Sequence, residues 1–138
     1  MRGTDDFGRL LDYDFTWRDD ARRFEMVTLP YQDFAGMNAS LELLHELGPA
    51  AVVAHVAGLA DRIVAWAGEQ PAVRLVTPAD RARRAGIVAL AMPDADAASA
   101  RLSAAGVAHS LRERAIRLSP HAYNTAGEVD RALELMAG

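Results

Sequence analysis

The amino-acid sequence predicts an α+β domain in which a small sheet of three or four strands is covered on one side by helices. Apolar residues recur at spacings of three and four in two long segments, and short apolar or alternating runs bounded by glycine or proline follow them. The chain has 138 residues, of which 51% are hydrophobic, so it can bury a core without disulfides. We therefore expect a small domain over residues 31–138, preceded by an extended arm or junction over residues 1–30.

Two helices are predicted at the start of this domain. The first begins near Gln32, and its apolar stripe comprises Phe34, Met37, Leu41, Leu44 and Leu47. Gly48 is a typical residue after a helix end, and Pro49 suits the first turn of a second helix. The second stripe comprises Val52, Val56, Leu59, Ile63 and Trp66. The spacing therefore predicts two amphipathic helices with a very short connection.

The remaining elements are four short strands and two further helices. Strands are predicted over residues 73–76, 86–92, 107–111 and 115–118, with a turn around Arg112 and Glu113 before the last of them. Asp94 is expected to cap a helix over residues 95–105, which Gly106 ends. Thr125 precedes Glu128 by three residues, a spacing that predicts a capping box at the start of the last helix.

Composition narrows the function classes. A net charge of −4 argues against a nucleic-acid surface, and no run approaches the roughly 18 consecutive apolar residues that a membrane span needs. The chain has no cysteine, which removes disulfides, thiolate nucleophiles and cysteine-based metal sites. The first 20 residues are polar and acidic, unlike a signal peptide, so a cytoplasmic protein is expected. The basic run of Arg81, Arg83 and Arg84 is interpreted as a solvated loop.

One charged residue falls at the end of a predicted apolar strand. Arg117 follows Ile116 and precedes Leu118, so its guanidinium needs a compensating negative charge. A planar guanidinium presents paired donors that match a carboxylate, which suits the binding of an amino acid or keto acid. The alternative is a structural ion pair with Glu25 or Glu128, and position alone leaves both interpretations open.

The sequence around this arginine reads Ile116-Arg117-Leu118-Ser119-Pro120-His121-Ala122-Tyr123-Asn124-Thr125. This block resembles the C-terminal region of the class V aminotransferase group of pyridoxal-phosphate enzymes, which includes cysteine desulfurases, kynureninases and isopenicillin-N-epimerase-like proteins. A second block, from Arg23 to Thr28, resembles the family's Arg-Phe-Glu-x-Gly-Thr stretch, with Val27 in place of the glycine. The resemblance implies the fold of the C-terminal domain of fold-type I pyridoxal-phosphate enzymes.

The resemblance also implies roles for individual residues. In the family the arginine matched by Arg117 binds the substrate α-carboxylate, and the threonine matched by Thr28 can approach the cofactor phosphate across a dimer interface. Arg112 matches an arginine of a turn just before the strand, and it is a second, weaker candidate for substrate binding. No catalytic residue and no metal ligand is expected in this chain.

The family binds pyridoxal phosphate covalently through a lysine, and all fifteen basic residues of this chain are arginines. The chain is therefore expected to be inactive alone. It should need a pyridoxal-phosphate-binding large domain, in the same native chain or in a separate polypeptide. The complete enzyme is expected to be a homodimer that acts on an amino acid. The lack of cysteine favours an aminotransferase, epimerase or lyase over a persulfide-forming desulfurase. The alternative is a free-standing small-molecule-binding or regulatory domain with the same fold.

Overall fold

The computed structural model describes Leu11, residues 15–24 and residues 30–138, and the chain divides into two compact units, Met1–Leu43 and Leu44–Gly138. The described part of the first unit holds a 3-10 helix, Ala21–Phe24, and most of helix α1, Tyr31–Leu47. The predicted first helix is thus confirmed. None of its side chains is buried, and the stripe residues Phe34, Met37 and Leu41 remain 43%, 49% and 47% exposed.

The second unit contains a four-stranded antiparallel sheet. Its strands are β1, Arg74–Leu75, β2, Val88–Ala91, β3, Ser110–Arg112, and β4, Ala115–Leu118, in the order β1-β2-β4-β3. Strand β4 is therefore flanked on both sides. The last strand begins and ends where the sequence predicts, whereas β1, β2 and β3 are shorter than predicted.

Strands β1 and β3 are shorter than predicted because backbone groups at their ends form hydrogen bonds with other partners. At the end of β1, the amide of Ala89 in the neighbouring strand donates to the Thr77 hydroxyl at 2.9 Å, while its carbonyl accepts from Val76 at 2.9 Å. A side chain thus replaces the backbone partner. Before β3, the Val107 amide donates to the Leu102 carbonyl at 2.9 Å, and the Val107 carbonyl accepts from the His109 ring at 2.8 Å. Both backbone groups of Val107 therefore have partners outside the sheet.

Three helices cover one face of this sheet. They are α2, Pro49–Glu69, α3, Ala95–Ala104, and α4, Ala126–Ala137. Helix α2 packs on β1 and β2, α3 packs on β3 and β4, and α4 contacts both α2 and α3. The buried core includes Leu59 and Ile63 of α2, Val88 and Leu90 of β2, Leu102 of α3, Ile116 and Leu118 of β4, and Val129 and Leu133 of α4. The predicted α+β class with helices on one side is confirmed.

Helix α2 is also long and apolar enough to cross a membrane by length and composition. A single helix of this kind is weak evidence, because the core helix of a soluble protein passes the same test. Four of its side chains, Leu59, Ala60, Ile63 and Ala67, are buried in the core of the second unit.

Helix ends follow the predicted chemistry with one exception. Gly48 and Gly106 adopt the positive φ values of 83° and 72° that glycine tolerates best. Thr125 and Glu128 form the predicted capping box, with a Thr125 amide to Glu128 carboxylate distance of 2.7 Å. Asp94 occupies the predicted N-cap position of α3, but its side chain does not make the expected capping hydrogen bond. The Asp94 carboxylate lies 3.5 Å from the Arg101 guanidinium, which it pairs instead.

The solvated-loop prediction is wrong for Arg84. Its side chain is only 4% exposed and forms an ion pair with Asp61 of α2, whereas Arg81 pairs with the same carboxylate at 3.3 Å and stays exposed. The loop before β2 is therefore tied to α2 by a shared acid. At the end of this loop, a Cβ at Gly86 would collide with a Val56 methyl group, so the approach to α2 requires glycine.

Candidate functional site

The face of the sheet opposite the helices carries arginines among small side chains. Residues paired directly across an antiparallel sheet share a face, so the register places Ala89, Arg117 and Ser110 in one row. The adjacent row on the same face is Arg74, Ala91, Ala115 and Arg112. None of the four strands contains an aspartate or glutamate. We call this surface, defined by these seven residues, the open face.

Arg117 lies at the centre of the open face. It is half-buried on β4, between Ala89 and Ser110, while its neighbours Ile116 and Leu118 are buried in the core. Within the described part of the chain, no hydrogen bond or ion pair involves its guanidinium. The Arg117 side chain is therefore available for an external anion.

The structural alternative for Arg117 receives no support from the described residues. Glu128 is engaged at the start of α4, where its carboxylate accepts hydrogen bonds from the Thr125 amide and, at 3.5 Å, from the Asn124 side chain. These donors, the Thr125 amide first, lower the pKa of Glu128. Glu25, the other proposed partner, lies outside the described residues.

Arg112 occupies the same open face at the sheet edge. It is exposed on β3, where it pairs with Ala115, so it is the diagonal neighbour of Arg117 across the β3–β4 ladder. Its side chain too makes no ion pair with another described residue. The structure thus brings together the two arginines that the sequence singled out. Side chains alternate between the two faces along β3 and β4, and a two-residue turn at Glu113 and Arg114 fixes their register. This pattern could have predicted the shared face from the sequence. It also places Ser110 and Ala115 on that face, which the sequence analysis did not identify.

The third candidate, Thr28, lies outside the described residues. Upstream of it, the guanidinium of Arg23 sits 4.9 Å from the centre of the Phe24 ring, which remains 77% exposed.

Asn124 organises the loop that follows β4. Its side-chain oxygen accepts from the His121 amide at 2.9 Å, and its backbone carbonyl lies 2.9 Å from His55 Nε2 of α2. The next residue, Thr125, caps α4. Tyr123 is 80% exposed, with its ring 5.2 Å from that of His121. Asn124 of the motif is therefore a structural residue that fixes the path from β4 to α4, whereas Tyr123 is largely exposed beside it.

This loop borders a groove of about 460 Å³ on the helix side of the second unit. Ile63, Val107, Leu118, Tyr123 and Arg131 are among its lining residues, and neither Arg117 nor Arg112 is. The groove and the open face are separate surfaces. Among the described residues, no three His, Asp or Glu side chains gather closely enough to hold a metal ion.

Comparison with known proteins identifies the class to which this arrangement belongs. A sequence model described as the kynureninase C-terminal domain matches residues 53–136, more than half of the chain. The uncharacterized aminotransferase YcbU of Bacillus subtilis (strain 168) is 30% identical over 131 residues, which cover 95% of this chain and 35% of the relative. A solved structure of a NifS-like protein shares the fold, with a TM-score of 0.67 at 19% identity over 89% of this chain and 37% of its own.

These matches define a C-terminal domain of the class V pyridoxal-phosphate enzymes, as the motif around Arg117 predicted. The chain belongs to the kynureninase C-terminal domain family. It spans about a third of the length of the aminotransferase and of the NifS-like protein.

Proposed function

We propose that this domain works within a pyridoxal-phosphate-dependent aminotransferase-like enzyme and that its Arg117 binds the α-carboxylate of an amino-acid substrate. The observation that carries the proposal is the guanidinium of Arg117 on the open face, which pairs with no other described residue. Its half-buried position lowers the local dielectric, so a carboxylate gains more there than at a fully exposed arginine. The small neighbours Ala89 and Ser110 leave room for a ligand above the strand.

The residues of this chain do not fit the covalent attachment of pyridoxal phosphate, because none of the 138 is a lysine. We therefore propose that a lysine-bearing domain, in the same native chain or a separate polypeptide, binds the cofactor and that this chain alone is inactive. The aminotransferase relative is long enough for such a domain, because this chain covers only 35% of it. A contact between Thr28 and the cofactor phosphate remains part of the proposal.

Exposed apolar side chains support a protein partner. Many large apolar side chains of the first described residues and of α1 remain at least 43% exposed. They include Phe15, Trp17, Phe24, Tyr31, Phe34, Met37 and Leu41. Many exposed large apolar residues in one part of a chain are typical of an interaction surface. We propose that the large domain covers part of this surface, and that the complete enzyme is a cytoplasmic homodimer acting as an aminotransferase, epimerase or lyase.

The test compares Arg117→Gln with Arg74→Gln in the enzyme formed with the lysine-bearing domain. Loss of a paired, charge-assisted contact of about 3 kcal/mol lowers kcat/KM about 100-fold. The cofactor absorbance and the unfolding midpoint should stay unchanged. Arg74 lies on the same open face and carries the same charge, so it controls for a general electrostatic effect. An unchanged kcat/KM in Arg117→Gln, or its loss of fold, contradicts the proposed role.

A further inference from the structure

The open face presents two guanidinium groups side by side. Arg117 pairs with Ser110, and Arg112 follows two residues later on β3, so the two arginines are diagonal neighbours. Diagonal Cβ atoms on one face of an antiparallel pair are typically about 7–8 Å apart, within reach of long side chains. Both side chains can therefore contact one small ligand.

No described residue compensates the charge of this pair. Neighbouring like charges on one face of a sheet are unfavourable, and the four strands provide no carboxylate to offset them. Neither guanidinium has an ion-pair partner among the described residues. By contrast, five other arginines, Arg22, Arg62, Arg81, Arg84 and Arg101, do pair with aspartates. A ligand with two negative groups would neutralise both arginines at once.

The space beside the pair suits a small ligand. Ser110 and Ala115, which complete the rectangle with Arg112 and Arg117, have short side chains. Ser110 adds a hydroxyl to the open face, beside the guanidinium of Arg117. The site therefore combines two cationic groups and a neutral donor above small side chains.

We infer that the substrate is an amino acid with a second carboxylate, and that Arg112 binds this second group while Arg117 binds the α-carboxylate. The inference rests on the proposed role of Arg117 and adds the substrate class. Arg112 is thereby a specificity-determining residue. It selects acidic amino acids over their neutral amides, because an amide cannot form the charged contact.

The test measures binding of glutarate and its monoamide, glutaramate, to the 138-residue chain by ¹⁵N NMR of the arginine Nε–H groups. The two probes differ only in their second carboxylate. We expect glutarate to perturb both Arg112 and Arg117 and to bind about 10-fold tighter than glutaramate, the effect of one additional charged contact. In Arg112→Gln the ratio of the affinities for glutarate and glutaramate should fall to about 1. In Arg74→Gln this ratio should stay at the wild-type value.

The outcomes separate this inference from the role of Arg117. Equal affinities of the two probes for the wild-type chain, or a preference that persists in Arg112→Gln, overturn the inference while leaving Arg117 as a monocarboxylate site. Unchanged binding of both probes by Arg117→Gln overturns the proposed role of Arg117 itself. If neither probe perturbs either arginine, both assignments fail.

Discussion

Arg101 of α3 is predicted to hold the C-terminal end of α4. Its Nε donates to the Leu135 carbonyl at 2.6 Å, and its terminal nitrogen donates to the Met136 carbonyl at 2.9 Å. The last four carbonyls of a helix lack intrahelical partners, and a cation at this end also interacts favourably with the helix dipole. We therefore expect Arg101→Ala to destabilise the domain.

The magnitude follows from these contacts. Hydrogen bonds to charged groups contribute about 1.5–3 kcal/mol each, but the Arg101 side chain is 33% exposed, so water can replace part of the lost interaction. The ion pair with Asp94 is 3.5 Å long and contributes little. We expect Arg101→Ala to lower the free energy of unfolding by about 2 kcal/mol. At a urea m value of about 1.5 kcal/mol/M, the midpoint falls by about 1.3 M.

Urea titration followed by circular dichroism measures this change, with two controls. Arg131→Ala removes an exposed arginine from α4 that has no ion pair with a described residue, and it should stay within about 0.5 kcal/mol of wild type. Asp94→Asn, which removes only the ion pair, should do the same. The proposed role of Arg101 is refuted if Arg101→Ala lowers the free energy of unfolding by less than about 0.5 kcal/mol, or by no more than Arg131→Ala does.

Three further predictions concern stability. Glu113 and Arg114 form a two-residue turn with φ values of 50° and 61°. Their replacement by Asn and Gly, which tolerate positive φ better, should raise the free energy of unfolding by about 1 kcal/mol in urea titration. An unchanged free energy of unfolding would show that the turn is unstrained. Thr125→Ala removes the cap of α4 and should lower the free energy of unfolding by about 1 kcal/mol, whereas Thr125→Ser keeps the hydroxyl and should lower it much less. Equal losses in the two variants would contradict the capping role. The hydrogen bond from Arg62 lowers the pKa of Asp130 in the folded protein. The pair therefore stabilises the fold at pH values above about 4, the pKa of an aspartate in the unfolded chain. This stabilisation is lost as the pH falls through the lower pKa of the folded state. The difference between wild type and Asp130→Asn should therefore shrink below about pH 4 in urea titrations, and a difference independent of pH would contradict it.

Elements whose partners are close in sequence were predicted well. The capping box of Thr125 and Glu128 and the glycine helix ends depend on residues within one turn, so their signal is local. Strand ends were predicted less well, because the Thr77 hydroxyl and the Val107 backbone take partners that no alternation pattern reveals. Asp94 lies at the predicted N-cap position, but its side chain pairs with Arg101 two turns further along α3, a partner that the capping pattern does not reveal.

The candidate site shows a similar division. The position of Arg117 at the end of an apolar run was enough to single it out, and the motif supplied the expected role. Its lack of a described charge partner and its shared face with Arg112 depend on the pairing of β3 with β4. Burial of Arg84 against Asp61 likewise depends on how a loop meets α2, so the charge run alone could not predict it.

The most direct test of the central claim, that this domain serves a lysine-bearing pyridoxal-phosphate enzyme, is the intact mass of the endogenous polypeptide purified from its source cells with its bound partners. We predict either a chain about three times longer with a lysine-bearing domain, in keeping with the one-third coverage of the aminotransferase relative, or a 138-residue chain that co-purifies with such a domain. A 138-residue chain without a lysine-bearing partner would contradict the claim and favour a free-standing binding domain.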